Sequence, residues 1–548
     1  MSLSQMSMLS RGQSSADVLH HIAEEVGKVA VPVQIAAPGD VDSHVQLPTY
    51  DRSKLETGIV HFGVGGFHRS HQLGYLDRLL RLDPEENYKW GYTGVGVLPM
   101  DSGMKEALNE QNYLYSIVSQ SKTSSDTHVN EEVQVSGALR DMLLAPEEPG
   151  EVMKRLSAKS THIYSLTITE FGYTVPVSHG DNALLELAAN AASEPWAEAD
   201  ADPKAYLGAT ALGYIVAGLA ARKASMAGGA TILSCDNIPG NGENVRERVI
   251  HRAEEHSTDL KEWIEFNCTF PNCMVDRITP ITHNQLIIDL ANKHNLKDNW
   301  PVNCETFSQW VIEDKFVDGR SGRPKWEDVG VQLVEDVAPY ELTKIRLLNV
   351  VHTTMVFPAL LMGLEYIHEA ATHPLVKKYY YTVMNKELRP TLMKIPGIEA
   401  IDLDKYENTL IERFSNEIIA DTLQRVAMDT SDKLSVQGVP AILDGFEVGC
   451  NMKGMAFCVA AWAHFITRSI SAGHVLRDQK ARVIEMAMSS DINHLLDTDL
   501  VFHELIFHKK WRSMVTYYHG QIGTEGISTA LEAMLETYDE LDPGFSSE

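Results

Sequence analysis

Gly58–Gln72 reads GIVHFGVGGFHRSHQ: a short β-branched run passes straight into a glycine-dense turn and then into a helical pattern. A strand-to-helix turn that cradles a dinucleotide needs glycine for the tight turn, for close backbone approach to a pyrophosphate, and for helix-to-strand contact. Gly63, Gly65 and Gly66 meet the first two needs. His68 stands where the third glycine belongs, so the strict GxGxxG spacing is broken. Arg69, at the opening of the helix, brings positive charge to an amide-lined anion site, and Phe67 lies between. These five residues are the candidate cofactor contacts. The competing reading is an ordinary βα turn whose glycines serve geometry alone.

Outward from this turn, β-branched runs alternate with helical patterns. Ile59–Phe62 precedes Gln72–Arg81, and Gly91–Val97 precedes Met100–Asn109. Further runs lie at 114–118, 133–137, 163–169 and 230–234, the last preceded by an apolar, small-residue segment over 206–224 that reads as one long helix. Such alternation predicts a mainly parallel sheet covered on both faces, with residues 133–141 and those after Cys273 adding antiparallel pieces to make it mixed. After about Asp336 strand signals nearly vanish. Helical spacing marks 340–361, 375–386, 415–428, 452–470, 479–488 and 528–536. The chain thus reads as α/β followed by all-α. Its expected parts are an N-terminal extension (1–50), an α/β domain (51–330) and a helical domain (331–548), with the polar stretch DGRSGRPKWED near the second boundary. In the extension, Asp17–Val31 has helical spacing, and Pro32, Pro38 and Pro48 then suggest an irregular surface arm.

A chain of 548 residues exceeds one ordinary core, and 44% hydrophobic with 22% charged residues is globular composition. A formal charge of −28 repels phosphate backbones, which argues against a nucleic-acid partner. Six cysteines without a CxxC pair read as reduced thiols. No long uninterrupted apolar run suggests a membrane span, and the Ser-rich start lacks a secretory pattern. A cytoplasmic location is expected. His61, His68 and His71 are spaced by seven and three, which matches no usual zinc pattern, so no metal is expected.

Two further places carry chemistry. The second strand ends in LPMD, and Asp101 is the candidate to hold the cofactor ribose, though an Asp there also suits a helix N-cap. In APYELTKIRLLNVVHTTMVFPALLMG (338–363), Lys344, Asn349 and His352 project near about 0°, 140° and 80° on a straight α-helix, on one side of it. Pro339 suits a first turn and Pro358 should stop or kink the helix. Burial among Leu and Val, and the positive end of the helix dipole, both push a lysine toward its neutral form; Glu341 opposes them. A neutral Lys344 is a general base, with Asn349 and His352 hydrogen-bonding an oxygen that gains negative charge. Taken singly, a snorkelling lysine, a capping Asn and a satisfied core His explain the same residues.

GVGGFHRSHQ (63–72), SLTITEFGYT (165–174), SCDNIPGNG (234–242), FPNCMVDRITP (270–280), KIRLLNVVH (344–352) and ERFSN (412–416) stand in one order that resembles the mannitol dehydrogenase family of polyol-specific long-chain dehydrogenases. The likeness runs from about Gly58 to Ala530. It implies a Rossmann-type N-terminal domain, a mostly helical C-terminal domain, and zinc-independent, NAD(P)-dependent interconversion of a polyol and a ketose, closest to oxidation of mannitol to fructose. It also implies that Lys344 is the catalytic base, that Asn349 and His352 polarise the reacting oxygen, and that Asn237, Asp276 and Arg413 contact the sugar hydroxyls. A pocket of such side chains rejects analogues that lack a hydroxyl, because its own polar groups would be left unpaired.

Arabinitol dehydrogenases and reductases of fructuronate or tagaturonate share these motifs; a uronate would call for an added Arg or Lys. Outside the family, a non-catalytic nucleotide sensor would keep the glycine turn without the Lys-Asn-His set. Asp101 disfavours a 2′-phosphate, so NAD is expected, with Lys105 leaving NADP open. A monomer or small homo-oligomer is expected.

Overall fold

The computed structural model describes residues 31–540, apart from 34, 35, 38, 123–127, 474, 475, 479 and 490. The helix expected over 17–31 therefore lies, but for Val31, outside the described residues. The chain divides into two compact units, one formed by residues up to Gln120 with Asn130–Val337, the other by Ser121–Val129 with residues from Ala338 on.

The first unit is organised by a five-stranded sheet, whose strands we number β1 (Thr57–Phe62), β2 (Gly91–Gly96), β3 (Leu139–Leu144), β4 (Ile163–Leu166) and β5 (Thr231–Ser234). Their spatial order is β3-β2-β1-β4-β5, with every pair parallel. This is the 3-2-1-4-5 order of a dinucleotide-binding sheet, and the order reverses between β1 and β4. Side chains alternate between two cores. Val60, Phe62, Tyr164, Leu166 and Ile232 face Leu212, Ile215 and Leu219 of the helix Ala211–Ala224, while Ile59, Tyr92, Leu139 and Ile163 face Leu73, Leu76 and Leu80 of the helix Gln72–Leu82. Burial on both faces explains the unbroken apolar runs.

The expected mixed sheet is corrected to separate sheets. Asn130–Ser136 leaves the main sheet for a four-stranded one with Tyr115–Ser121, Val302–Glu305 and Val45–Gln46, and β3 begins anew after Gly137. Cys273–Asp276 pairs antiparallel with Gln309–Glu313 in a third sheet. Within the described part of the arm, Val31–Pro32 and Val45–Gln46 each form a two-residue parallel pairing. The helix read over 206–224 begins only at Ala211, because Gly208 turns the chain at φ +79° and Thr210 caps the Gly213 N–H.

The second unit is helical. Lys453–Ser471 runs through its core, packed by Met355, Phe357 and Ala359 of one neighbouring helix and by Met514, Val515 and Tyr518 of another. Gly454 permits a close approach to a third helix, Pro374–Val383, since a Cβ there would lie 2.4 Å from Val383. Two expectations are corrected. Residues 415–428 are not one helix: Asp402 caps an earlier helix, Leu403–Phe414, and Asn416 ends it by taking the Lys122 and Ile418 N–H groups on its side chain. Pro358 does not break its helix, which continues to Leu361 and stops before Gly363 at φ +87°; Met355–Ala359 are wholly enclosed and hold the turn in place. Among the described residues, no helix is long and apolar enough to cross a membrane.

Candidate active site

At the reversal point of the sheet, Gly63 follows β1 at φ +92°, and a Cβ there would fall 2.1 Å from the Thr167 carbonyl oxygen at the end of β4. Gly63 is therefore needed twice, for its backbone sign and for strand-to-turn contact. Thr167 returns the contact, donating its N–H to the Phe62 carbonyl (2.9 Å) and its hydroxyl to the Gly63 carbonyl (2.8 Å). Gly65 differs: its backbone is extended (φ −84°), and nothing lies within 4 Å of a Cβ built on it. Its exposed backbone opens onto a cleft of about 720 Å³. Gly63, Gly65, Gly66, Arg69 and Asp101 all line this cleft, together with apolar Leu98, Phe171 and Leu207. Phe67 stacks its ring on His71 at 4.9 Å. Arg69 is buried, donates to the Trp300 carbonyl (2.6 Å) and lies over the Tyr115 ring, so its charge is fixed in place beneath the turn. Asp101 stands at the N-cap position of the helix Ser102–Glu110 but makes no side-chain cap bond to it; its carboxylate instead accepts the Leu98 N–H (3.0 Å) at the cleft wall.

His68, in the place of the third glycine, is accommodated by stacking. Its ring lies 3.4 Å from that of His61, nearly parallel, beneath the turn. His61 bridges Ser165 Oγ (2.8 Å) and Thr167 Oγ1 (2.9 Å), a consequence of the parallel register that sets His61 beside Ser165. His71 reaches the Gln309 carbonyl (2.8 Å). Burial pushes His61 and His71 down to about 3 and His68 well below its usual value, so all three rings are neutral.

Two expected sugar contacts belong to the same unit. Asn237 is exposed on the loop after β5, and Asp276 is buried at the end of Cys273–Asp276. Asn241 ties the two segments, donating to the Asp236 carbonyl (3.0 Å) and the Cys273 carbonyl (2.7 Å). Asn237 thus follows the carboxyl end of a strand of the parallel sheet, where open α/β sheets bind ligands, while Asp276 ends a strand of the third sheet.

In the helical unit, Lys344 ends the α-helix Ala338–Lys344, and the next six residues, Ile345–Val350, form a π-helical segment before α-helix resumes at Val351–Leu361. This corrects the straight helix assumed above. One residue taken in excess sets everything beyond it back by about 100°, so His352 moves from about 80° to about 20° from Lys344, and Asn349 also swings toward it. The trio is better aligned than its spacing implies. Lys344 and His352 are 7% and 8% exposed, and Asn349 is half-buried. The His352 ring packs 4.4 Å from Phe414, which brings the adjoining Arg413, 8% exposed, to the same region. Arg346 anchors the π segment: its guanidinium donates to the Gln437 carbonyl (3.1 Å) and pairs with Asp444.

Sequence reasoning assigned no role to Thr167, Thr169 or Phe171, nor to residues 206–210, all of which line the cleft. The quoted SLTITEFGYT stretch carried a signal for the first three. The last were absorbed into the overlong helix.

Residues 57–328 match the family described as Mannitol dehydrogenase Rossmann domain, and 336–522 the Mannitol dehydrogenase C-terminal domain. The mannitol 2-dehydrogenase of Pyricularia oryzae is 38% identical over 429 residues, covering 78% of this chain and 81% of that one. The structure of Pseudomonas fluorescens mannitol 2-dehydrogenase, a ternary complex with NAD and D-mannitol, aligns with a TM-score of 0.75 at 34% identity, over 90% of this chain and 98% of that one. A substrate-free D-sorbitol dehydrogenase aligns equally well, with a TM-score of 0.75 at 31% identity over the same shares.

Proposed function

The chain belongs to the mannitol dehydrogenase family and is an NAD-dependent polyol dehydrogenase; we propose that it oxidises D-mannitol at C2 to fructose, without zinc and with Lys344 as general base. The observation that supports this reading is the π-helical turn Ile345–Val350, which by helix geometry swings Asn349 and His352 toward the buried Lys344. The cleft fits NAD: its volume suits a dinucleotide, and the bare backbone at Gly65 leaves room for phosphates that a Cβ would fill. NAD⁺ supplies the hydride acceptor when bound there. Gly65 and Gly66 offer backbone to the pyrophosphate, and Asp101 holds the ribose.

Lys344 Nζ, in its neutral form, takes the proton of the C2 hydroxyl as hydride leaves the same carbon. Asn349 and His352 donate to the oxygen while it carries negative charge and release a ketone oxygen at the end. The ammonium then returns its proton to solvent. In reverse, the protonated Lys344 delivers a proton to the fructose carbonyl. Asn237, Asp276 and Arg413 pair with the remaining hydroxyls and fix which carbon reacts.

Lys344→Ala should lose about 10²–10⁴-fold in turnover, the range of general-base contributions, with partial rescue by small primary amines. Near-normal turnover rules out Lys344 as the base. Initial rates with mannitol, sorbitol and arabinitol against NAD and NADP, and with fructose and fructuronate against NADH and NADPH, test the substrate; a higher kcat/KM for sorbitol or arabinitol than for mannitol, or for fructuronate than for fructose, overturns that choice.

A further inference from the structure

Thr169 lies in the wall of the cofactor cleft at φ +61°. A β-branched side chain in the left-handed region is a strained outlier, since its branch crowds the backbone where glycine is free. Such strain persists only where neighbours over-determine it. Here one carboxylate does so. Asp236, on the loop after β5 and only 6% exposed, accepts the Thr169 N–H (2.8 Å), the Ile168 N–H (3.1 Å) and the Tyr173 hydroxyl (2.7 Å). Tyr173 is itself braced by Ser234 Oγ (2.6 Å) at the end of β5. Ile168, Phe171 and Gly172, on either side of Thr169, also line the cleft, and Phe171 is exposed there. A Cβ at Gly172 would meet the Ile168 side chain at 2.7 Å, so the segment is tightly folded on itself.

We propose that Asp236 is a positioning residue for the cofactor: its buried carboxylate holds Thr169 in the left-handed conformation that shapes the cleft wall. The inference rests on the reading of this cleft as the NAD site. A carboxylate with three donors aimed at it makes stronger bonds than a neutral acceptor would, which suits it to hold a strained peptide. The next residue is Asn237, so the loop that pins the cofactor wall also carries an expected substrate contact.

The test is a double-mutant cycle on the full-length protein, read by NADH titration and by KM for NAD against kcat. Asp236→Asn should raise the NADH Kd about tenfold or more in the Thr169 protein. In a Thr169→Gly background, where the left-handed conformation needs no restraint, the same change should cost less than about threefold. A merely structural role would lower stability equally in both backgrounds and leave no such coupling. Should Asp236→Asn fail to fold, Tyr173→Phe, which removes one donor, is put through the same cycle with the same expectation. A cost that is equal in the two backgrounds, or absent in both, overturns the proposal while leaving the NAD reading intact. Absence of NADH binding by the wild type overturns both.

Discussion

The two glycines of the turn should respond to the same substitution in opposite ways. In Gly63→Ala a side chain is forced to φ +92°, which costs about 1–2 kcal/mol, and its Cβ would sit 2.1 Å from the Thr167 carbonyl oxygen. The chain relieves that contact by giving up the hydrogen bonds between Thr167 and the β1 turn, at about 1 kcal/mol each. The sum is about 3–4 kcal/mol, against a total stability of about 5–15 kcal/mol. Gly65→Ala faces neither obstacle, because the backbone is extended and the space is open. Its cost to the fold is about 1 kcal/mol or less, that of alanine for glycine at an N-cap. On the proposed reading this open space admits the cofactor phosphates, so the added methyl should raise the NADH Kd at least about tenfold, or about 1.4 kcal/mol. Urea denaturation of the cofactor-free protein, with NADH titration by fluorescence, separates the two effects. If Gly65→Ala binds NADH as tightly as the wild type, the phosphates do not pass Gly65 and the assignment of this cleft fails.

Glu387 is wholly enclosed, accepts the Gly454 N–H (2.6 Å), the Met455 N–H (3.0 Å) and the Tyr538 hydroxyl (2.7 Å), and is pushed by burial up to about 7. An unfolded Glu releases its proton near pH 4.5, so the native state alone stays protonated between there and pH 7. The stability this group contributes is complete below pH 4.5 and lost by pH 8, a fall of about 3 kcal/mol at 1.36 kcal/mol per unit. Glu387→Gln should flatten that part of a melting-temperature profile; superimposable slopes for the two proteins would refute it. Arg346→Lys keeps the charge but not the fork between the Gln437 carbonyl and Asp444. It should lower kcat several-fold and cost about 2 kcal/mol, measured by steady-state rates and thermal melts. Unchanged kcat shows that the π segment holds its shape without the fork.

The parallel sheet was legible because both faces of β1, β4 and β5 are buried, which leaves unbroken β-branched runs, and because the glycine turn must follow the first of them. The place of Asp101 on the cleft wall was legible for a similar reason, since it lies shortly after the second strand, Gly91–Gly96. The helix over 206–224 was overdrawn because Tyr206, Leu207 and Ala209 continue its apolar pattern, while the features that stop it are a single φ at Gly208 and the Thr210 cap. Apolar periodicity registers composition and is blind to a positive φ. Asp236 escaped notice for a different reason: its three donors lie 63–68 residues earlier in the chain, two of them backbone amides that leave no mark in the sequence.

The trio on the lysine helix shows how far a motif depends on structure outside it. On an ideal α-helix, Lys344 and Asn349 diverge by about 140°, too far to serve one oxygen comfortably. Convergence comes from the extra residue in Ile345–Val350, and an i→i+5 ladder is rarely favourable by itself. The cost is offset by contacts. That segment packs against two further π segments, Met384–Leu388 and Leu434–Gly438, and Arg346 bonds a carbonyl of the latter. The Thr353 hydroxyl donates to the Asn349 carbonyl (3.1 Å), one of those the irregular ladder disturbs. Both of the other π segments pack against the one that carries Asn349, so a substitution at Asp444, the partner of Arg346, should reach Asn349 through the backbone. The nine residues KIRLLNVVH supply Lys344, Asn349 and His352. Their common direction is supplied by residues some 90 positions later in the chain.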